Sequence, residues 1–397
     1  MAFYHSKMCD KENNVDEVDR LPSKDRVTDL DIAGFIISII SHIVDVGLDC
    51  NLAYRYYHEN NMECFLATLG FILVPALVNT AFSIRMYVMD QSDKPKTTLT
   101  KKFTKRRVCC MLVLIFQLAP VLRYFDALRY ALKSRKAEKN GDVENQRKYY
   151  ELMVKEDSDV ALLRVLECFL EAAPQQILQL AIIFHTHGKG IYGFTFVHQL
   201  LSIGSSFVSM AWSMASYQRL LRFSLKDKNN ISWAGTIMQF MWHFLVTVSR
   251  ILCISVIASV YLNSTILGVL IHWFAMTAWL HVGTSETNFC NKNKLYDSAL
   301  FAIFGMVYVF TYVNLTEGKT FYKYLFFYAI LFLENTAANI FWILKQDEET
   351  IKSLYYRPVV YLNIVPFMLG IVFMVLYYKV FHPSTGCHAN KQRSERS

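Results

Sequence analysis

Long apolar segments alternate with short polar loops along most of the chain. The ten segments run roughly over residues 30–52, 63–89, 108–122, 160–185, 193–217, 236–262, 264–283, 296–314, 322–344 and 358–381. A helix needs about 20 residues to cross the hydrocarbon core of a bilayer, and most segments are long enough. The pattern therefore predicts an all-α polytopic membrane protein.

The third segment, 108–122, differs from the others in length and in flanking charge. It has only about 15 residues, fewer than a span requires. A basic loop at 90–107 precedes it, and the composition of 133–157 predicts a polar linker after it. Basic flanks favour the cytosol, so a full crossing between two of them is disfavoured. We predict a re-entrant half-helix there, and ten complete spans are the alternative.

A faint internal repeat extends this prediction to the second half of the chain. The letters L-E-A-A-P-Q at 170–175 resemble L-E-N-T-A-A at 333–338, five segments later. A duplication of five segments makes 296–314 a second re-entrant half-helix. Eight transmembrane helices and two re-entrant half-helices then form two pseudo-repeats, with both termini cytosolic. The predicted parts are an N-terminal tail (1–29), a first repeat (30–217), a cytosolic linker (218–235), a second repeat (236–381) and a C-terminal tail (382–397).

Composition excludes several other classes of protein. Apolar residues make up 53% of the chain and charged residues 19%, which argues against a soluble enzyme or a disordered chain. The sequence has no P-loop, G-x-S-x-G or H-E-x-x-H motif, and its nine cysteines contain no C-x-x-C pair. We therefore expect no covalent catalysis, no cofactor, no bound metal and no nucleic-acid partner.

Ionisable and amide side chains inside the apolar segments are the candidate functional residues, because such groups are costly in lipid and mark function by default. They are Asp31, Asp45, Asp49, Arg123, Arg164, Glu167, Glu171, Gln175, Gln179, Arg250 and Glu334. Arg–acid pairs that lock helices together are one interpretation. A hydrophilic track that admits a lipid headgroup, while the acyl chains stay in the membrane, is the other. We expect both.

The fourth segment carries the longest polar stripe. Glu167, Glu171, Gln175 and Gln179 recur every four residues, so they share one helix face over about 18 Å. Pro174 lies within the stripe and predicts a kink. A single structural ion pair would not need so long a stripe, which favours the track.

These residues resemble the XK-related family over nearly the whole chain. The motifs are T-D-L-D-I from Thr28, V-D-V-G-L-D with Asp45 and Asp49, L-R-V-L-E-C-F-L-E-A-A-P-Q at 163–175, Y-Q-R-L-L-R at 217–222, N-L-T-E-G at 314–318 and Y-Y-K-V-F-H-P at 377–383. The resemblance implies eight spans with two half-membrane segments, and it adds Arg219 to the charged path. Ser216 departs from the family pattern, where an acidic residue often precedes the tyrosine.

The resemblance also implies a function and a set of partners. The family looks like ATP-independent phospholipid scramblases of the plasma membrane, several of which expose phosphatidylserine after caspase cleavage. Implied partners are membrane phospholipids, an executioner caspase, a single-span chaperone or lipid-transfer protein, and a second copy of the chain. The alternatives are a secondary transporter of a charged solute and a non-catalytic membrane scaffold.

Two further segments carry candidate sites. The basic residues Lys101, Lys102, Lys105, Arg106 and Arg107 are expected to contact the anionic cytosolic leaflet, unless they are only a topology signal. The tetrapeptide Asp16-Glu17-Val18-Asp19 matches the preference of executioner caspases and lies in a polar tail. Arg20 follows the scissile bond, where small residues are favoured. A solvated acidic run without a role is the alternative.

Overall fold

The computed structural model describes residues 26–89, 118–185, 194–224, 230–283, 294–314, 321–346, 351 and 356–383. Within these ranges the chain is helical and contains no strand. We number the helices in chain order as α1 (Asp29–His58), α2 (Met62–Met89), α3 (Ala119–Lys139), α4 (Val143–Glu167), α5 (Ala173–His185), α6 (Phe194–Ser224), α7 (Trp233–Val260), α8 (Leu262–Gly283), α9 (Lys294–Tyr308), α10 (Phe321–Leu344) and α11 (Tyr356–Leu376).

Six of the described helices are long and apolar enough to cross a membrane. They are α1, α2, α7, α8, α10 and the segment Tyr356–Phe381, which contains α11 and the π-helical turn that follows it. These helices confirm the predicted all-helical, multi-pass membrane protein. The numbers of eight spans and two re-entrant half-helices stay predictions, as do the boundaries of the repeats and tails.

Residues 133–157 form parts of two packed helices, so the predicted polar linker is wrong. Helix α3 ends at Lys139, and α4 begins at Val143 after a turn in which Gly141 has a φ of 73°. This left-handed backbone is accessible to glycine at little cost. Although this part of the sequence is rich in charged residues, apolar side chains such as Ala131 and Met153 are buried in the core of the hairpin. Helix α6 ends at Ser224, within the range 218–235 of the predicted cytosolic linker, whose bounds stay a prediction.

Helices α4 and α5 are joined by a π-helical turn over Cys168–Ala172. Pro174 lies at the second position of α5 and has no backbone N–H. A proline ring also collides with the carbonyl four residues earlier, here that of Leu170. A wider turn relieves this collision, and such turns are frequent at functional sites. The sequence predicted a kink at Pro174, and the structure accommodates the proline with a π turn.

Helix α9 is too short to span a bilayer. Its 15 residues measure about 22 Å, against a hydrocarbon thickness of about 30 Å. The residues after it, 309–313, are buried without being helical. Gly305 allows α9 to approach α8 closely, since a Cβ at this position would lie 2.3 Å from Thr277 Oγ1. Of the other predicted re-entrant segment, 108–122, only 118–122 is described, and it forms the start of α3.

The described residues form two compact units. One contains 26–89 and 118–167 with 216–224 and 230–231, and the other contains 168–185, 194–215 and the residues from 232 onward. In the second unit α7 and α11 pack closely, because a Cβ on Gly370 would lie 2.7 Å from Val246 Cγ2. The buried Trp242 ring lies 5.0 Å from Tyr324 and 5.8 Å from Tyr328, measured between centroids.

Candidate functional site

Four side chains of α1 and α4 form a charged cluster in the first unit, which we call the Arg164 cluster. Arg164 Nη1 donates to Glu167 Oε1 at 2.6 Å, one helical turn away on α4. His42 Nδ1 on α1 lies 3.2 Å from the same oxygen. Arg164 Nη2 lies 3.6 Å from Asp45 Oδ2, also on α1. The cluster therefore joins two helices through one guanidinium group.

One side of the Arg164 cluster is buried, which we call closed, and the other side is exposed, which we call open. The side chains of His42 and Glu167 are 1% and 9% exposed, whereas that of Asp45 is 53% exposed. Asp45 lies one helical turn after His42 on the candidate span α1. The arrangement presents a carboxylate on the surface of a span, with an arginine directly behind it. Such a pair can bind a group that carries both signs of charge.

A second cluster, the Arg250 cluster, joins α7, α8 and α10 in the second unit. Arg250 Nη2 lies 2.7 Å from Glu334 Oε2, and Nη1 donates to Asn335 Oδ1 at 2.7 Å. Arg250 Nε donates to the Val309 carbonyl at 2.9 Å. The other oxygen of Glu334, Oε1, lies 2.7 Å from His272 Nδ1. The Glu334 side chain is 37% exposed, so this cluster is also open at its carboxylate.

Both open clusters contain an arginine, a glutamate and a histidine, but they are assembled differently. Arg164 and Glu167 share α4, whereas Arg250 and Glu334 come from different helices. His42 lies on α1 and His272 on α8. The sequence predicted the arginines and acids of both clusters. It did not predict His42 or His272, because a single histidine in an apolar segment gives no pattern.

A third cluster, around Arg123, is closed on every side. Arg123 Nη1 lies 3.0 Å from Glu156 Oε2 and 3.1 Å from Asp159 Oδ2. Nε and Nη2 donate to the hydroxyl and carbonyl oxygens of Ser83, and the guanidinium carbon lies 4.1 Å from the centroid of the Tyr87 ring. None of the Arg123 side chain is exposed. Its contacts are those of an ion pair that fastens α2, α3 and α4 together.

The structure places the remaining candidates as follows. Asp31 belongs to a capping box at the start of α1, where its carboxylate accepts from the Thr28 N–H and hydroxyl at 2.8 Å each. Glu171 and Gln175 are buried, whereas Asp49 and Gln179 are half-buried. Gln176, which follows Gln175 in the sequence, is buried and donates to Ser206 Oγ at 3.0 Å. Arg219 donates to the Ile231 carbonyl. The basic residues 101–107 and the tetrapeptide 16–19 lie outside the described residues.

Outside the candidate spans, the α3–α4 hairpin carries two carboxylates with shifted pKa values. Burial, and then the nearby Asp31 charge, raise the pKa of Asp157 to about 7. Hydrogen bonds from Asn145 to the exposed Asp142 lower the pKa of that carboxyl. Over the described ranges, no group of three or more histidine, cysteine or acidic side chains could hold a metal ion. His185 Nδ1 lies 3.0 Å from the Ser259 carbonyl oxygen, near the end of α7.

Comparison with known proteins relates the chain to one family and to two similar proteins. The chain is 29% identical over 383 residues to Cell death abnormality protein 8 of Caenorhabditis briggsae, which covers 92% of this chain and 81% of that protein. It is 27% identical over 379 residues to Cell death abnormality protein 8 of Caenorhabditis elegans, with the same coverage. The family model described as XK-related protein matches residues 33–383. Because this match covers most of the chain, the protein belongs to the XK-related family.

Proposed function

We propose that the protein is an ATP-independent phospholipid scramblase that exposes phosphatidylserine at the cell surface. Two relatives that cover most of the chain are named for abnormalities of cell death, and this supports a role in apoptosis-related processes. The family resemblance supports scrambling as the activity and the plasma membrane as its place. Neither ATP nor covalent chemistry is needed, because lipid moves down its own concentration gradient.

The observation that carries this proposal is the exposure of two ion-paired carboxylates within candidate spans. Asp45 is 53% exposed and Glu334 37%, although each is paired with an arginine. A carboxylate that faces hydrocarbon is strongly disfavoured, so these faces require water or headgroups beside them. A phospholipid headgroup carries a phosphate, which suits the arginines, and often an ammonium group, which suits the carboxylates.

The closed cluster around Arg123 reduces the number of residues that we propose to contact a headgroup. Arg123 has all of its side chain buried and contacts Glu156, Asp159 and Ser83. A headgroup could reach it only by displacing these contacts. We therefore assign Arg123 to helix packing, and Asp31 to the cap of α1. The Arg164 and Arg250 clusters carry the proposed headgroup contacts.

We also propose that cleavage after Asp19 activates the protein. The start of α1 is fastened to α3 by two ion pairs, Arg26–Glu138 at 2.9 Å and Asp29–Arg135. Both pairs lie on the C-terminal side of the proposed cut. Cleavage would therefore release the tail and leave the capping box and the start of α1 in place.

The proposed topology places both termini and the basic residues 101–107 at the cytosolic leaflet. Each lysine or arginine near an anionic surface contributes about 1 kcal/mol of binding. A cysteine introduced at Thr98 should therefore resist an impermeant maleimide in intact cells and react after permeabilisation. Labelling from outside would contradict the proposed topology.

The proposed protein partners are an executioner caspase, a single-span chaperone or lipid-transfer protein, and a second copy of the chain.

The activity can be tested with purified protein in liposomes that contain a fluorescent phospholipid and no ATP. Dithionite quenches only the outer leaflet of protein-free vesicles, about half of the signal. The proposal predicts quenching well beyond one half when the protein starts at Arg20. Quenching of only one half by this folded protein would contradict scrambling and favour a membrane scaffold.

A further inference from the structure

Helix α9 ends among other helices, so its last carbonyl groups need hydrogen-bond donors. A helix leaves its last four carbonyls without partners inside the helix. The turn that follows α9 satisfies two of them, since Val309 N donates to the Met306 carbonyl and both Phe310 N and Thr311 N donate to the Val307 carbonyl. The carbonyls of Tyr308 and Val309 come next along the chain.

Side chains of two neighbouring helices donate to these carbonyls. His272 Nε2 on α8 lies 3.1 Å from the Tyr308 carbonyl oxygen, and Arg250 Nε on α7 lies 2.9 Å from that of Val309. Nearly two turns before Tyr308 on α9, the Ala302 carbonyl accepts from Trp273 Nε1 at 2.8 Å. The Tyr308 and Val309 oxygens lie at the C-terminal end of α9, where the helix dipole favours positive charge.

Glu334 holds the two capping side chains together. Its Oε1 lies 2.7 Å from His272 Nδ1, and its Oε2 lies 2.7 Å from Arg250 Nη2. Both ring nitrogens of His272 therefore face oxygen atoms that can accept hydrogen bonds. The Glu334 carboxylate lies between His272 and Arg250 and balances the charge of the arginine.

We infer that His272 is a positioning residue which, with Arg250, caps the C-terminus of α9 and fixes where this short helix ends. His272 and Glu334 lie near the middle of the candidate spans α8 and α10. At that depth an unsatisfied carbonyl is costly, since lipid offers no donor. The cap explains how the chain can leave the helical conformation there. Its consequence for lipid passage rests on the proposed function.

Two substitutions of His272 test its two ring nitrogens one at a time, because each keeps a hydrogen-bond donor at only one of the two positions. Glutamine places its amide nitrogen near the position of Nε2, so His272→Gln keeps the donor to the Tyr308 carbonyl. Asparagine places its amide nitrogen near Nδ1, so His272→Asn keeps the donor to Glu334 and loses the cap. Hydrogen–deuterium exchange of the full-length protein in lipid nanodiscs measures whether residues 300–314 stay protected.

The cap predicts a definite order of exchange rates. Peptides from 300–314 should exchange within about twofold of wild type in His272→Gln, and about tenfold faster or more in His272→Asn. The opposite order would overturn the cap and leave His272 as a holder of Glu334 alone. Wild-type rates in both variants would overturn it as well. If His272→Asn does not fold, His272→Gln alone still tests the cap, because a tenfold loss of protection in that variant contradicts it.

His42 provides a matched control. It is also a buried histidine beside a glutamate and an arginine, but it lies in the first unit. His42→Asn should leave the exchange of 300–314 at the wild-type rate, and faster exchange there would show that the effect of His272→Asn is not specific.

Scrambling by the same variants separates this inference from the proposed function. If the protein scrambles lipid, the rate should fall more in His272→Asn than in His272→Gln. If wild type itself does not scramble, the proposed function fails, while the order of exchange rates still tests the cap. Equal scrambling by the two variants, with the expected exchange order, would overturn the link between the cap and lipid passage.

Discussion

Arg123 and Glu156 form an ion pair in which neither side chain is exposed, with 3.0 Å between Nη1 and Oε2. The pair joins α3 to α4, and Asp159 and Ser83 also contact the arginine. Asp45 and Arg164, by contrast, form a pair whose carboxylate is more than half exposed. The distinction between closed and open pairs separates side chains that hold the fold from those available to a ligand.

Removal of Arg123 should destabilise the protein severely. Arg123→Met leaves Glu156 and Asp159 buried without their cation, and breaking a buried pair in this way costs about 3–5 kcal/mol. Thermal unfolding of the purified protein in detergent measures the loss. The matched control is Arg147→Met, because Arg147 is 67% exposed and its pair with Glu151 contributes about 0.3–0.5 kcal/mol. Equal melting temperatures for the two variants would contradict the closed cluster.

Gly370→Ala should disrupt the packing of α7 against α11. The added methyl group would lie 2.7 Å from Val246 Cγ2 and 3.2 Å from the Trp242 carbonyl oxygen. Overpacking of this kind costs about 1–3 kcal/mol, which a lower melting temperature would reveal. Gly268→Ala, on the candidate span α8, is the control, because no atom lies within 4 Å of its added Cβ. A loss as large in the control would show that the close approach is not the cause.

The stability of the hairpin should depend on the protonation of Asp157. Its pKa is raised from 3.8 to about 7, so the folded protein binds this proton more tightly than the unfolded chain. Stability from this group therefore falls as pH rises between about 4 and 7. Asp157→Asn should raise the melting temperature relative to wild type at pH 8 and much less at pH 4.

Asp142 gives a control of the opposite sign. Hydrogen bonds from Asn145 lower its pKa, so its contribution is lost as pH falls. Asp142→Asn should therefore lower the melting temperature at pH 8 and change it little well below pH 4. Asp157→Asn with the same pH profile as Asp142→Asn would contradict the assignment for Asp157.

Activation by proteolysis should depend on Asp19. Cells that carry Asp19→Ala should bind little annexin after an apoptotic stimulus, and a chain that starts at Arg20 should expose phosphatidylserine without the stimulus. Asp10→Ala, in the same tail, should behave as wild type. Equal annexin binding by Asp19→Ala and wild type would remove the switch.

The sequence predicted the apolar helices well because length and hydropathy determine them locally. The segment predicted at 264–283 corresponds to α8 (Leu262–Gly283), and that at 322–344 to α10 (Phe321–Leu344). The α3–α4 hairpin escaped prediction for a physical reason. Its buried residues include small ones such as Ala127 and Ala131 and charged ones such as Arg123 and Glu156, so its sequence lacks a clear apolar pattern.

The candidate site was predictable only where partners lie close in sequence. Arg164 and Glu167 are three residues apart on one helix, so their pairing follows from helical geometry. His42 meets Arg164 from 122 residues away, and His272 meets Glu334 from 62 residues away. Tertiary packing creates these contacts. It also separates the closed Arg123 from the open Arg164, although both are arginines near the ends of apolar segments.

The most direct test of the account compares an open carboxylate with a closed one. Asp45→Asn and Asp159→Asn are isosteric, and each removes one charge that faces an arginine. In the dithionite assay with the chain that starts at Arg20, Asp45→Asn should slow scrambling about tenfold, the loss expected for a contact to a charged group. Its melting temperature should change little. Asp159→Asn should lower the melting temperature and leave the rate per folded molecule near that of the unsubstituted chain. Full scrambling by Asp45→Asn would contradict the central claim.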